Sequence, residues 1–148
     1  MTARADPADL HRWPTVFRSE IACDLRAVYD VIRSAKGFLV ARGLTDGDAA
    51  QWELVMAEAA NNGIQYCRPE ARHQPLLLEV TWVDGRVVAR LTDHTAGLNL
   101  PENPTLPPPT SEHGRGLFLI RHFTDAVTYH RHPDHNVLEM QRSHAGSR

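Results

Sequence analysis

The chain has 148 residues, a length that supplies one hydrophobic core and leaves no room for a second. Apolar residues make up 42% and charged residues 23%, the balance of a folded globular protein rather than a disordered one. A formal net charge of -2 without any Lys/Arg run argues against nucleic-acid binding, and the lack of a long apolar stretch or apolar leader argues against a membrane span or secretion.

In chain order, residues 1–12 read as a flexible N-terminus, 13–142 as one folded domain and 143–148 as a flexible C-terminus. Trp13 to Cys23 has the composition of a first strand. From Asp24 to Arg42, Leu25, Val28, Tyr29, Ile32, Ala35, Phe38 and Leu39 recur at helical spacing, with Asp24 as cap and Gly43 as terminator. Thr45 and Asp48 form a shortened capping box that opens a second helix running to about Tyr66. After a linker at Pro69–Pro75, Leu76–Val83 and Arg86–Thr92 read as strands joined by a two-residue Asp84-Gly85 turn.

Between Gly97 and Gly114 the periodicity vanishes. Pro101, Pro104, Pro107, Pro108 and Pro109 exclude a helix interior or a central strand there, and a loop this long is either functional or disordered. Gly116 to His122 is a short apolar helix, and Ala126–His130 with Val137–Gln141 form a closing hairpin across Pro133-Asp134. Helices segregated from mostly antiparallel strands predict an α+β, two-layer α/β sandwich. Cys23 and Cys67 are too few for a disulfide framework and read as reduced thiols of a cytoplasmic protein. His130, His132 and His135 around the last turn read as a solvated turn rather than a metal site.

Three constellations carry polar chemistry. Glu58 and Asn62 stand four apart on the second helix and so share a face, while Gly63 beside them costs about 1 kcal/mol in a helix and hints at a close approach by a backbone or ligand. Asp93-His-Thr-Ala-Gly97 leaves a strand end, where a carboxylate can choose a ligand that offers an amine over one that offers a carbonyl. His113-Gly114-Arg115-Gly116-Leu117 opens the short helix, and free amides at a helix N-terminus suit a phosphate. Each segment alone also admits a plain structural reading: a local cap with a solvated carboxylate, a turn aspartate, a tight turn.

Their order along the chain resembles the N, G1 and G2 boxes of the histidine-kinase-like (GHKL, Bergerat-fold) ATPases, from Glu58 to Ile120. Within that superfamily the segment EHGRGLFLIRHFTDAV is similar to the G2 box of bacterial anti-sigma-factor serine kinases. The resemblance implies a Bergerat ATP-binding fold, with helices on one face of the sheet and Leu98 to His113 as a long ATP lid. It implies ATP and Mg²⁺ as cofactors, with Asn62 as the metal ligand and Glu58 as the catalytic base toward a serine or threonine hydroxyl. Asp93 would read adenine, Gly97 would let the backbone pass the nucleotide, and His113, Gly114, Arg115, Gly116 and Leu117 would close over the phosphates. It further implies a partner-switching anti-sigma factor that sequesters a sigma factor, phosphorylates a STAS-domain antagonist and forms a homodimer, with a PP2C-like phosphatase reversing the modification. The alternative function is a non-catalytic, nucleotide-dependent switch that sequesters a regulatory partner. Three positions depart from the pattern. Thr95 replaces the first glycine of D-x-G-x-G and predicts a stiffer loop, Tyr66 replaces a frequent histidine, and His113 stands where arginine is frequent.

Overall fold

The computed structural model describes residues 16–97 and 115–144. The first strand, β1 (Val16–Ile21), buries Ile21 completely and packs Phe17 against Phe38 at a ring separation of 6.0 Å. The start of the strand expected at Trp13 lies outside the described residues, as do the flexible tail proposed at 1–12, residues 145–148 of the tail proposed at 143–148, and the proposed lid.

Asp24 caps α1 (Leu25–Ala41) in extended geometry, its carboxylate accepting the Arg26 amide at 2.9 Å. Val28, Ile32, Ala35 and Leu39 then form a buried stripe at the spacing of one helix face. Thr45 caps α2 (Asp46–Gln65) by accepting the Asp48 amide at 3.2 Å. The box is half of the reciprocal kind, because the Asp48 carboxylate turns away from the cap toward Arg142 and His144. On α2, Trp52, Val55, Met56, Ala59, Ala60 and Ile64 are buried, whereas Leu54 is exposed. Each large one contributes roughly 1.5–3 kcal/mol of burial.

The expected linker contains a 3-10 turn at Pro69–Ala71, after which β2 (Leu76–Val83) and β3 (Arg86–Asp93) form the predicted hairpin. Asp84 (φ 53) and Gly85 (φ 74) both take the left-handed conformation that a tight hairpin of this hand requires. The remaining elements are α3 (Arg115–Phe123), β4 (Ala126–Arg131) and β5 (Asn136–Ser143).

All pairings are antiparallel and the sheet order is β1-β2-β3-β5-β4, so the last strand inserts between the third and the fourth. Leu76, Leu78, Val80, Val87, Ala89, Leu91, Leu138 and Met140 alternate onto the face covered by the helices. The opposite face carries charge in register, with Glu79 opposite Arg18 and Arg90, and Arg90 bonded to Glu139 at 2.7 Å. This is the expected α+β two-layer arrangement.

One boundary moves. β5 continues through Ser143, and His144 is buried, accepting the Trp52 indole N–H at 2.9 Å and donating its own amide to Gly85 O at 2.7 Å. Residues 143 and 144 thus belong to the packed domain rather than to a flexible tail, because a buried indole N–H needs an acceptor and His144 supplies it.

Candidate functional site

Between the second half of α2, the start of α1 and the start of α3 lies a cavity of about 870 Å³. Glu58, Asn61, Asn62 and Gln65 face it from α2, and their spacing of three, four and seven residues is that of one helical face. Cys23, Asp24 and Leu25 form one rim, Tyr66 and Arg72 another, and Arg115 with Gly116 a third.

Gly116 sits directly against the first constellation. A Cβ at that position would fall 2.8 Å from Glu58 Oε2 and 3.3 Å from Asn62 Nδ2, so only glycine lets α3 begin there without displacing the two side chains. Sequence positions 58, 62 and 116 therefore form one surface. Both polar side chains are half-buried, and among the described residues neither forms a hydrogen bond. Asp24 and Glu58 supply negative charge to the walls and Arg72 and Arg115 supply positive charge, a mixed lining with oxygen donors and guanidinium groups on separate rims.

The second constellation lies behind α2. Gly63 is buried, and a Cβ there would stand 2.6 Å from Leu76 Cδ2 and 3.3 Å from Asp93 Cβ. Its glycine thus serves the approach of sheet side chains to the helix rather than that of a backbone or ligand. Asp93 is 1% exposed. Its Oδ1 accepts hydrogen bonds from the Thr95 amide, the Thr95 hydroxyl and Asn136 Nδ2, all at 3.0 Å. The Tyr129 hydroxyl stands 3.4 Å from Oδ2 and 3.1 Å from Thr95 Oγ1.

Thr95 does not strain the loop. Among the described non-glycine residues only Asp84 has positive φ, and the Thr95 hydroxyl accepts the Gly97 amide at 3.1 Å. The threonine replaces backbone freedom with side-chain hydrogen bonds. Gly97 itself has φ 113, a conformation that L side chains rarely adopt, and lies beside the Arg131 guanidinium.

Glu58, Asn62, Arg115 and Gly116 thus come together on one cavity. Asp93 and Gly97 lie in the adjoining network beyond Gly63, and Leu117 is half-buried on α3 away from the cavity wall. His113 and Gly114 lie outside the described residues. Tyr66, which stands where histidine is frequent, is exposed and lines the cavity. Arg72 was absent from the sequence expectation because it reaches the cavity from the 3-10 turn, outside any helical pattern. Asn136 and Tyr129 were missed as well, although an asparagine at the first inward position of an alternating strand is a polar group in a core place.

Cys67 is buried and Cys23 half-buried, both as free thiols. Burial, and then the neighbouring Cys23 thiol, push the Cys67 thiol up to about 11, so it is protonated and inert at neutral pH.

Residues 21–142 match the family described as the histidine kinase-like ATPase domain, and the chain belongs to that family. Among solved structures, the chain is similar to the RsbU and RsbW domains of Rv1364c from Mycobacterium tuberculosis, with TM-score 0.67 and 11% identity over 88% of this chain. It spans 32% of that longer chain. It is also similar to a chain of the SiaB-SiaC complex from Pseudomonas aeruginosa, with TM-score 0.59 and 12% identity over 95% of this chain and 99% of the other. The histidine kinase AdeS of Acinetobacter baumannii gives TM-score 0.51 and 16% identity, over 93% of this chain and 72% of that one. At these identities the likeness is one of fold. No curated protein sequence matches significantly.

Proposed function

We propose that the chain is an ATP- and Mg²⁺-dependent protein serine/threonine kinase that acts as an anti-sigma factor in a bacterial partner-switching system. One observation carries the reading: Glu58 and Asn62 meet Gly116 on a single cavity wall, with no hydrogen bond among the described residues to hold their side chains. A carboxylate and a carboxamide with no hydrogen-bond partner among the described residues, next to a helix start that only glycine can bring so close, suit a phosphate-bearing ligand.

The donor chemistry fits the metal as well as the nucleotide. Asn62 would hold Mg²⁺ through its amide oxygen, a hard donor, and Mg²⁺ when bound supplies charge neutralisation at the phosphates. The Glu58 carboxylate accepts the proton of a partner's serine or threonine hydroxyl. Arg115 offers a guanidinium to phosphate oxygens and Asp93 reads the adenine amine, while the roles of Gly97, His113, Gly114 and Leu117 rest on the resemblance alone.

The anti-sigma part rests on the resemblance of residues 112–127 to the G2 box of the serine kinases. The RsbW domain among the fold neighbours accords with it. In this reading the STAS-domain antagonist is the phosphoacceptor, the sigma factor is the sequestered target, and the working unit is a cytoplasmic homodimer. Incubation with Mg-ATP and a co-encoded STAS protein, followed by mass spectrometry, tests it. Phosphoserine or phosphothreonine on the STAS protein is expected. A STAS protein that binds yet acquires no phosphate would leave the non-catalytic switch as the better account.

A further inference from the structure

Glu58 has a carboxamide on each side of it around α2. At 3.6 residues per turn, Asn62 lies about 40° to one side of Glu58 and Asn61 about 60° to the other. Asn62 meets Gly116 at the start of α3. Asn61 turns the opposite way, toward α1, and lines both the cavity and a groove of about 530 Å³ between α1 and α2. Among the described residues only Leu25 and Asn61 line both, so they form the threshold from one to the other. Asn61 is half-buried, and among the described residues its side chain forms no hydrogen bond. Beyond the threshold the groove is largely apolar, and Leu25, Tyr29 and Leu54 are exposed along it. Its one acid, Glu53, is paired with Lys36 at 3.7 Å, whereas Arg33 lies over the Tyr29 ring at 5.3 Å with no carboxylate partner among the described residues.

We propose that Asn61, backed by this groove, receives the protein that is phosphorylated. The inference rests on the reading of the cavity as a nucleotide site with Glu58 as base. A folded protein cannot enter the cavity, so its hydroxyl-bearing segment has to reach Glu58 across a rim while the phosphates lie on the Asn62 side. The rim at Asn61 continues into an apolar groove, where side chains flanking the acceptor hydroxyl leave water. A carboxamide both donates and accepts, so Asn61 can pair with the N–H and the C=O of that segment's backbone. The Glu58 carboxylate, which only accepts, stays free for the hydroxyl. Arg33 gives the partner's matching surface its chemistry: apolar side chains with a carboxylate at their edge.

The test titrates the co-encoded STAS protein into the full chain with Mg²⁺ and a non-hydrolysable ATP analogue by calorimetry, then measures phosphotransfer with ATP. Asn61→Ala is expected to weaken STAS binding and raise the KM for the STAS protein by about 3–10-fold, with ATP affinity within about two-fold. Asn61→Gln should recover part of that loss. Tyr29→Ala, an exposed position remote from Glu58, should raise the same KM by about 3–10-fold. An unchanged KM in either folded variant, or equal loss of ATP and STAS affinity in Asn61→Ala, would overturn the proposal and leave nucleotide binding standing. So would a Tyr29→Ala variant that changes only the chain's own oligomeric state in light scattering, which would assign the groove to a second copy. A STAS protein that binds through Asn61 yet acquires no phosphate would overturn the kinase reading alone.

Discussion

Glu58 and Asp93 are carboxylates on opposite sides of the same stretch of α2, Glu58 projecting from the helix into the cavity and Asp93 meeting it from the sheet behind Gly63. Glu58 is half-buried and bonded to nothing among the described residues, whereas Asp93 is sealed under Thr95, Asn136 and Tyr129. The difference follows from the solvent each can reach. A carboxylate removed from water costs several kcal/mol unless donors replace the water, so Asp93 is fixed in place by its donors. A carboxylate at a cavity wall keeps its hydration and stays open to an incoming ligand.

The largest effect that would sharpen this contrast is expected from Glu58→Gln, which keeps the shape and removes the proton acceptor. Phosphotransfer to a STAS protein should fall by about 10²–10⁴-fold, while thermal stability stays within about 0.5 kcal/mol. A large loss of stability would move Glu58 into the structural class with Asp93. The converse holds for Asp93→Asn, which weakens three charge-assisted bonds. It should lower unfolding free energy by roughly 1.5–3 kcal/mol in a denaturant titration, along with ATP affinity.

A pair of alanine substitutions divides the two regions more finely. In Gly63→Ala the new methyl meets Leu76, which is fully buried and has nowhere to go. Overpacking of about 1–3 kcal/mol, less about 1 kcal/mol of helix propensity, leaves a net loss of roughly 0–2 kcal/mol. In Gly116→Ala the methyl meets the end of the Glu58 side chain, which can swing aside. Stability should be nearly unchanged, and phosphotransfer should drop because Glu58 has been turned. Equal melting temperatures for the two variants would erase the distinction.

The smallest effect concerns acidity at the far end of α2. Burial, with Arg142 adding to it, holds the His144 imidazole below its ordinary value of 6.5, against the opposing pull of Asp48 and Asp125. Nε2 accepts from Trp52, which leaves the proton on Nδ1, 3.4 Å from Asp48 Oδ2. The unfolded chain therefore takes up a proton at higher pH than the folded one. The stabilisation is complete above pH 6.5 and is lost as pH falls through the depressed folded value. Urea midpoints should decline as the pH falls below 6.5, and His144→Gln should flatten that slope.

Much of this was legible in the residues. Asp24 and Thr45 fixed two helix starts because a cap is a local interaction, read within three positions. The cluster of Glu58, Asn62 and Gly116 was legible as two motifs, and the glycine explains why they meet. Asn136 was hidden because the expected strand began one residue later, at Val137, and because its partners Asp93 and Thr95 lie more than forty residues away, joined only by the β3–β5 register. Arg72 was hidden by its place in a 3-10 turn. His144 was assigned to a tail because no sequence signal pairs it with an indole far upstream.

The insertion of β5 between β3 and β4 carries a consequence for the order in which the chain is made. Trp52 and His144 are 92 positions apart, and the β3 edge stays unpaired until the last strand has been synthesised. During translation the sheet therefore offers a bare strand edge, and the core beneath it an indole without an acceptor, until nearly the whole described sequence has left the ribosome. Closure is a late, non-local event, and Trp52 fluorescence followed on stalled nascent chains would mark the length at which it occurs.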